Sequence, residues 1–158
     1  MSRPFGVLLV CSGNTCRSPL AAAMLAARLA QDPLFRDTSV MSAGTSAWDG
    51  SPASEGSYLV ALERGLDLGD HRARMLTPEL VQQVDRILTM TEAQVQRVAD
   101  LGGGNKTATI TAYAGAVAGP RDVPDPFGGD VSGYRRAAEM LDALMDDVVA
   151  RLRREVVR

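Results

Sequence analysis

An uninterrupted run from Phe5 to Val10 (FGVLLV) leads directly into CSGNTCRSP, residues 11 to 19. A short apolar run that stops at polar loop residues is the pattern of a strand buried on both faces, as in a parallel sheet. Pro19 suits the first turn of a helix, and LAAAMLAARLAQ beyond it is built from strong helix formers. The opening unit therefore reads as strand, loop, helix. A doubly buried strand needs helices on both faces of its sheet, which sets the fold class.

The remainder continues the alternation. Thr38 to Ser42 predicts a second strand, and Ala43 to Ser54, rich in Gly, Ser and Pro, reads as a surface loop. Ser54 caps a predicted helix to about Arg64, with Gly65 as its terminator. Thr77-Pro78-Glu79 opens a short helix, Arg86 to Met90 predicts a third strand, and Thr91 caps a helix to about Asp100. Thr107 to Thr111 (TATIT) predicts the fourth strand, and the Pro/Gly-rich stretch from Ala112 to Asp130 a long loop. From Ser132 onward, Tyr134, Ala138, Leu141, Leu144, Met145, Val148 and Leu152 recur at helical spacing. The expected architecture is an α/β three-layer sandwich, a four-stranded, mainly parallel sheet with helices on both faces. Residues 1 to 158 are expected to form one domain.

Composition narrows the function. A formal net charge of -2 disfavours a nucleic-acid partner, and no apolar run approaches a membrane span or a signal peptide. A cytoplasmic protein, monomeric by default, is the expectation. Two cysteines and one histidine are too few for a disulfide framework or a cysteine-rich zinc site.

Ligands of parallel α/β sheets bind at the carboxyl ends of the strands, where residues 11 to 18 fall. A loop entering a helix N-terminus is an anion site, because its backbone N–H groups point outward and the helix dipole adds positive potential. Gly13 and Asn14 tolerate unusual backbone conformations. Arg17 adds a planar fork of donors matched to phosphate oxygens. These groups favour a thiolate at Cys11, and the Ser18 hydroxyl is placed to donate to it. A lone cysteine at a strand end is ordinarily a small core residue. C-x-G-N-x-C-R-S-P between a buried strand and a helix is a far more specific pattern, and it is not a Walker A loop.

Cys11-Ser12-Gly13-Asn14-Thr15-Cys16-Arg17-Ser18-Pro19 resembles the signature of the low-molecular-weight protein tyrosine phosphatases. The likeness continues through SAGT (Ser42 to Thr45), HRAR (His71 to Arg74) and DPFGG (Asp125 to Gly129). It implies a cysteine-dependent phosphatase of phosphorylated proteins, without metal or other cofactor. In that reading Cys11 is the nucleophile and forms a phosphocysteine, and Arg17 and residues 12 to 18 hold the phosphate. Asp125 is the general acid and then the base. Asn14, Ser18, Ser42 and His71 would brace the loop by hydrogen bonds. Cys16 would trap oxidised Cys11 as a reversible disulfide.

Substrate choice stays open between two phosphorylated residues. Thr15 and DPFGG resemble the protein-arginine phosphatase branch, since tyrosine-directed members typically carry a bulky aliphatic residue at the position of Thr15. Trp48 matches the position of an aromatic wall in tyrosine phosphatases, with Phe127 as the opposite wall. Phosphoarginine is slightly favoured. An arsenate reductase would need further cysteines, and none follows Cys16. A noncatalytic phosphate-binding module would have no use for both Cys11 and Asp125.

Overall fold

The structure, a computed structural model, describes residues 3–157. Strand β1 (Gly6–Cys11) leads through the loop into helix α1 (Arg17–Leu29). Then follow β2 (Ser39–Gly44), α2 (Glu55–Glu63), α3 (Pro78–Gln83), β3 (Arg86–Thr89), α4 (Glu92–Asp100), β4 (Thr107–Thr109), α5 (Ile110–Tyr113) and α6 (Val131–Val156). The sheet order is β2-β1-β3-β4, and each neighbouring pair is parallel.

Every residue of β1 is buried, and alternation sends its side chains to two cores. Val7, Leu9 and Cys11 face a layer built from α1, α2, α5 and α6. Leu8 and Val10 face α3 and α4 through Leu80, Val81 and Val98. On α6, Ala138, Leu141, Met145, Val148 and Leu152 are fully buried, as their spacing predicts, and Leu144 packs at the margin. Each fully buried large side chain contributes about 1.5–3 kcal/mol. The ion pairs beside them are more exposed: Arg28 with Asp142 (2.9 Å) and Asp146, and Arg135 with Glu63 (2.6 Å). Such pairs contribute at most about 1 kcal/mol, so apolar burial rather than charge seats α6.

Three expectations need correction. The fourth strand ends at Thr109, because Thr109 Oγ1 accepts from Ala112 N–H (3.1 Å) and caps α5. Local capping outweighs the β propensity of Ile110 and Thr111. The stretch from Ala43 is not a surface loop at its start. Ala43 and Gly44 complete β2, and Thr45 is buried. Ser54 occupies the N-cap position of α2, yet its side chain caps nothing. Single 3₁₀ turns at Pro33–Phe35 and Gly104–Lys106 carried no clear signal.

Candidate active site

The loop after β1 sits at the carboxyl edge of the sheet, with β2 on one side and β3 on the other. Thr45 N–H donates to Cys11 O (3.0 Å), and Ser46 N–H to Ser12 O (2.9 Å), so the chain leaving β2 packs along it. Gly44 makes that approach possible. A Cβ there would stand 2.9 Å from Asn14 N and nearer still to Ser12 O. The glycine of SAGT therefore has a steric purpose that its sequence context did not disclose.

Asn14 holds the loop's shape. At φ 57° it is the one non-glycine residue in the left-handed region among the described residues, and it is fully buried. Such a conformation costs most residues about 1–2 kcal/mol, and Asn less. Hydrogen bonds offset that cost. Asn14 Nδ2 donates to Ser18 Oγ (2.8 Å) and Ser42 Oγ (2.9 Å). Its Oδ1 accepts from Arg74 N–H (2.9 Å). Its carbonyl oxygen meets His71 Nε2 at 2.6 Å. The bracing set expected around the loop is thus assembled. Gly13 is less special than expected, since its φ is not left-handed and a Cβ would meet only Thr15 Oγ1 at 3.6 Å.

A carbonyl oxygen only accepts, so His71 Nε2 carries the proton. Burial holds the imidazole pKa below its usual value. The bond to Asn14 opposes this, and Arg72 and Arg74 reinforce it. Between that lowered value and about 6.5, the unfolded chain binds more protons than the folded one. Stability should therefore rise with pH through this window and level off above it. His71→Gln should remove that component. Urea unfolding of both proteins from about pH 5 to 7.5 checks it, and equal slopes would refute it.

Cys11 is buried at the floor. Its sulfur accepts from Asn14 N–H (3.2 Å) and lies 2.9 Å from Ser18 Oγ. Ser18 Oγ already accepts from Asn14 Nδ2, so its own proton donates, and the sulfur is a nearer acceptor than Ala43 O at 3.5 Å. Arg17 is 4 % exposed. Its Nη1 donates to Val123 O (2.9 Å), and its Nη2 lies 3.6 Å from Asp125 Oδ2. Arg17 Nε is buried without a partner among the described residues, an orphaned donor that a phosphate oxygen would satisfy.

Asp125 arrives from the far end of the fold. Val123 N–H donates to Met90 O (2.9 Å), and Glu92 N–H to Asp122 Oδ1 (3.0 Å), tying its loop to the end of β3 and to α4. Asp125 Oδ1 accepts from Phe127 N–H (3.0 Å), which leaves Oδ2 toward Arg17. Cys11, Ser12, Gly13, Thr15, Cys16, Arg17, Asp125 and Phe127 line one cavity of about 260 Å³. Trp48 does not line it. The ring is 83 % exposed, and Ser46 contributes to the lining instead. The aromatic wall expected from Trp48 is absent from the cavity.

Sequence reasoning missed three supports. Gln94 Nε2 donates to Ser12 Oγ (3.1 Å), while its Oε1 accepts from Met90 N–H and Thr91 N–H. The Thr91-x-x-Gln94 capping box was legible as a helix start, but its reach to the loop was not. Ser54 donates to Thr15 O from its N–H (2.9 Å) and its hydroxyl (3.1 Å), and Ser57 Oγ donates to Cys16 O (3.0 Å). This is why Ser54 does not cap α2. Cys16 is buried, with Sγ 3.2 Å from Ser54 Oγ and 3.8 Å from Tyr134 Oη, and both cysteines are free thiols.

A thiol on the floor of a cradle of N–H donors, with a buried arginine beside it and a carboxylate facing that arginine, is the arrangement of a cysteine-dependent phosphatase. The family profile of low molecular weight phosphotyrosine protein phosphatases matches residues 6–158. A protein-arginine-phosphatase of Geobacillus stearothermophilus is 34 % identical, over 96 % of this chain and 99 % of that one. A probable low molecular weight protein-tyrosine-phosphatase, EpsP, of Ralstonia nicotianae is also 34 % identical, over 93 % and 95 %. The solved YwlE arginine phosphatase, in a cysteine-to-serine mutant with a phosphorylated active-site serine, superimposes with TM-score 0.86. It is 30 % identical over 94 % of this chain and 95 % of that one. The chain belongs to the low molecular weight phosphotyrosine protein phosphatase family, and its enzyme is a cysteine-dependent phosphatase.

Proposed function

We propose that the protein hydrolyses phosphoarginine in proteins. The observation that carries this reading is the cavity wall. Thr15 lines it with a hydroxyl whose one polar contact among the described residues is Cys16 Sγ at 3.7 Å, and Trp48 lies outside. A hydroxyl without a nitrogen or oxygen partner suits a guanidinium nitrogen, where a branched aliphatic side chain would suit a phenyl ring. Phe127 stacks on either planar group.

Cys11 Sγ attacks phosphorus, so an S–P bond forms as the N–P bond breaks. Asp125, protonated for this step, gives its proton to the departing guanidinium nitrogen. The loop N–H groups and Arg17 hold the three equatorial oxygens, electrostatic stabilisation that needs no reorganisation during the reaction. Asp125 then takes a proton from water, whose oxygen attacks phosphorus. Phosphate leaves, and the Cys11 thiolate is restored.

The test is a matched pair of kcat/KM values on a phosphoarginine and a phosphotyrosine peptide, for the wild type and for Thr15→Ile. The expected result is a phosphoarginine preference that Thr15→Ile lowers by at least about tenfold, the scale of one hydrogen bond to a charged group. A wild-type preference for phosphotyrosine would overturn the substrate and leave the mechanism intact.

A further inference from the structure

Phe127 is the wall of two hollows. It borders the cavity of Cys11 and also lines a neighbouring groove of about 490 Å³ between the N-terminal halves of α2 and α6. Both helices supply apolar side chains to it. α2 contributes Leu59, α6 contributes Val131 and the Tyr134 ring, and Gly128 and Gly129 leave space between them. Tyr134 is fixed there by contact with Gly56, where a Cβ would stand 2.6 Å from the ring's Cγ.

Two large apolar side chains face this groove without being buried. Phe127 is 70 % exposed and Leu59 44 % exposed, in a chain that buries most of its leucines. On the rim, Glu55 is exposed and forms no ion pair among the described residues. A negative rim over an apolar floor repels an acidic occupant and leaves an aliphatic one unopposed.

We propose that this groove is a substrate subsite that takes an aliphatic side chain flanking the phosphorylated residue. This rests on the reading that the substrate is a phosphorylated polypeptide, whichever residue carries the phosphate. Continuity with the catalytic cavity names the occupant. A polypeptide whose phosphorylated side chain reaches Cys11 lays its backbone across the mouth beside Phe127. The next Cα is about 3.8 Å on, and the second about 7 Å on in extended chain. A side chain one or two positions away therefore crosses the Phe127 ring into the groove. Burying it against Leu59, Val131 and Tyr134 removes apolar surface from water on both partners.

The experiment compares peptides that differ only beside the phosphorylated residue, with Leu, Gly or Asp there. Phosphoarginine and phosphotyrosine sets are both used, together with p-nitrophenyl phosphate. Wild-type enzyme should prefer Leu over Gly by about tenfold in kcat/KM, mainly through KM, with Asp the poorest. Leu59→Asp should abolish the Leu preference while p-nitrophenyl phosphate turnover stays within about twofold. Val131→Asp, on the opposite wall, should do the same and covers the case in which the first variant folds poorly. Equal hydrolysis of the Leu and Gly peptides by wild type would overturn the subsite, as would an equal loss on all substrates in both variants. Cleavage of the phosphotyrosine set alone would overturn the phosphoarginine reading, and the Leu preference would still be read on that set. Cleavage of p-nitrophenyl phosphate but of no phosphopeptide would overturn both.

Discussion

Cys11→Ser should lower phosphate release from any substrate by on the order of 10⁴-fold or more, while inorganic phosphate still binds. The binding half follows from the cradle. Its donors are backbone N–H groups and Arg17, none of which belongs to the residue replaced. The catalytic half follows from the lack of a base. A serine hydroxyl keeps its proton at neutral pH and needs a neighbour to remove it. Residue 11 has the hydroxyl of Ser18 beside it and the N–H of Asn14. Neither is a base, and the one histidine of the chain is committed to Asn14 O. Sulfur serves here because it ionises more readily than oxygen. Calorimetry with inorganic phosphate and a phosphate-release assay on the same preparation check both halves. Persistent turnover would remove Cys11 from the mechanism. Mass spectrometry adds a sharper readout, since the serine-substituted YwlE arginine phosphatase carries phosphate on its active-site serine. Covalent phosphate at residue 11 of the variant would show that attack occurs and that the second step fails.

The division between what the sequence disclosed and what it did not has a physical basis. FGVLLV suggested a doubly buried strand because so short and unbroken an apolar run stops at turn-forming residues, and the helical spacing from Tyr134 to Leu152 announced the packed face of α6. Cys11 and Arg17 were legible from the chemistry of their loop, Asp125 only through the resemblance carried by DPFGG, and the fold brings all three to one cavity. The supports were less legible. Gly44 is needed because the loop passes within contact distance, which is a fact of packing between segments distant in sequence. Ser54 had every local mark of a helix cap, yet Thr15 O lies close enough to claim its hydroxyl. Trp48 shows the converse. Its position by resemblance placed it at the cavity, but the segment after Thr45 leaves its ring in solvent.

Asn14→Ala should lower stability by about 3–4 kcal/mol and reduce kcat/KM by about 10²-fold or more. The stability figure combines three lost side-chain hydrogen bonds at about 1 kcal/mol each with an alanine forced to φ near 57°. For a domain whose whole stability is about 5–15 kcal/mol, the change should move Tm by roughly 6–15 °C. The activity figure follows from what the bonds hold still. Asn14 positions its own N–H on the Cys11 sulfur, and by donating to Ser18 Oγ it turns the serine proton toward an acceptor, of which that sulfur is the nearer. A cradle that shifts by a fraction of an ångström no longer fits the transition state it stabilises. Asn14→Gly separates the two contributions. Glycine adopts a left-handed φ without strain but restores no hydrogen bond. It should therefore unfold at a Tm a few degrees above the alanine variant, less whatever flexibility it adds to the unfolded chain. It should also remain as impaired as alanine in kcat/KM. Recovery of activity by glycine would mean that backbone conformation alone shapes the cradle, and that the contacts to Ser18, Ser42 and Arg74 are incidental. Equal losses of stability in the two variants would mean instead that relief of the left-handed conformation is no larger than the entropy glycine adds to the unfolded chain, and that hydrogen bonding dominates in fixing the loop.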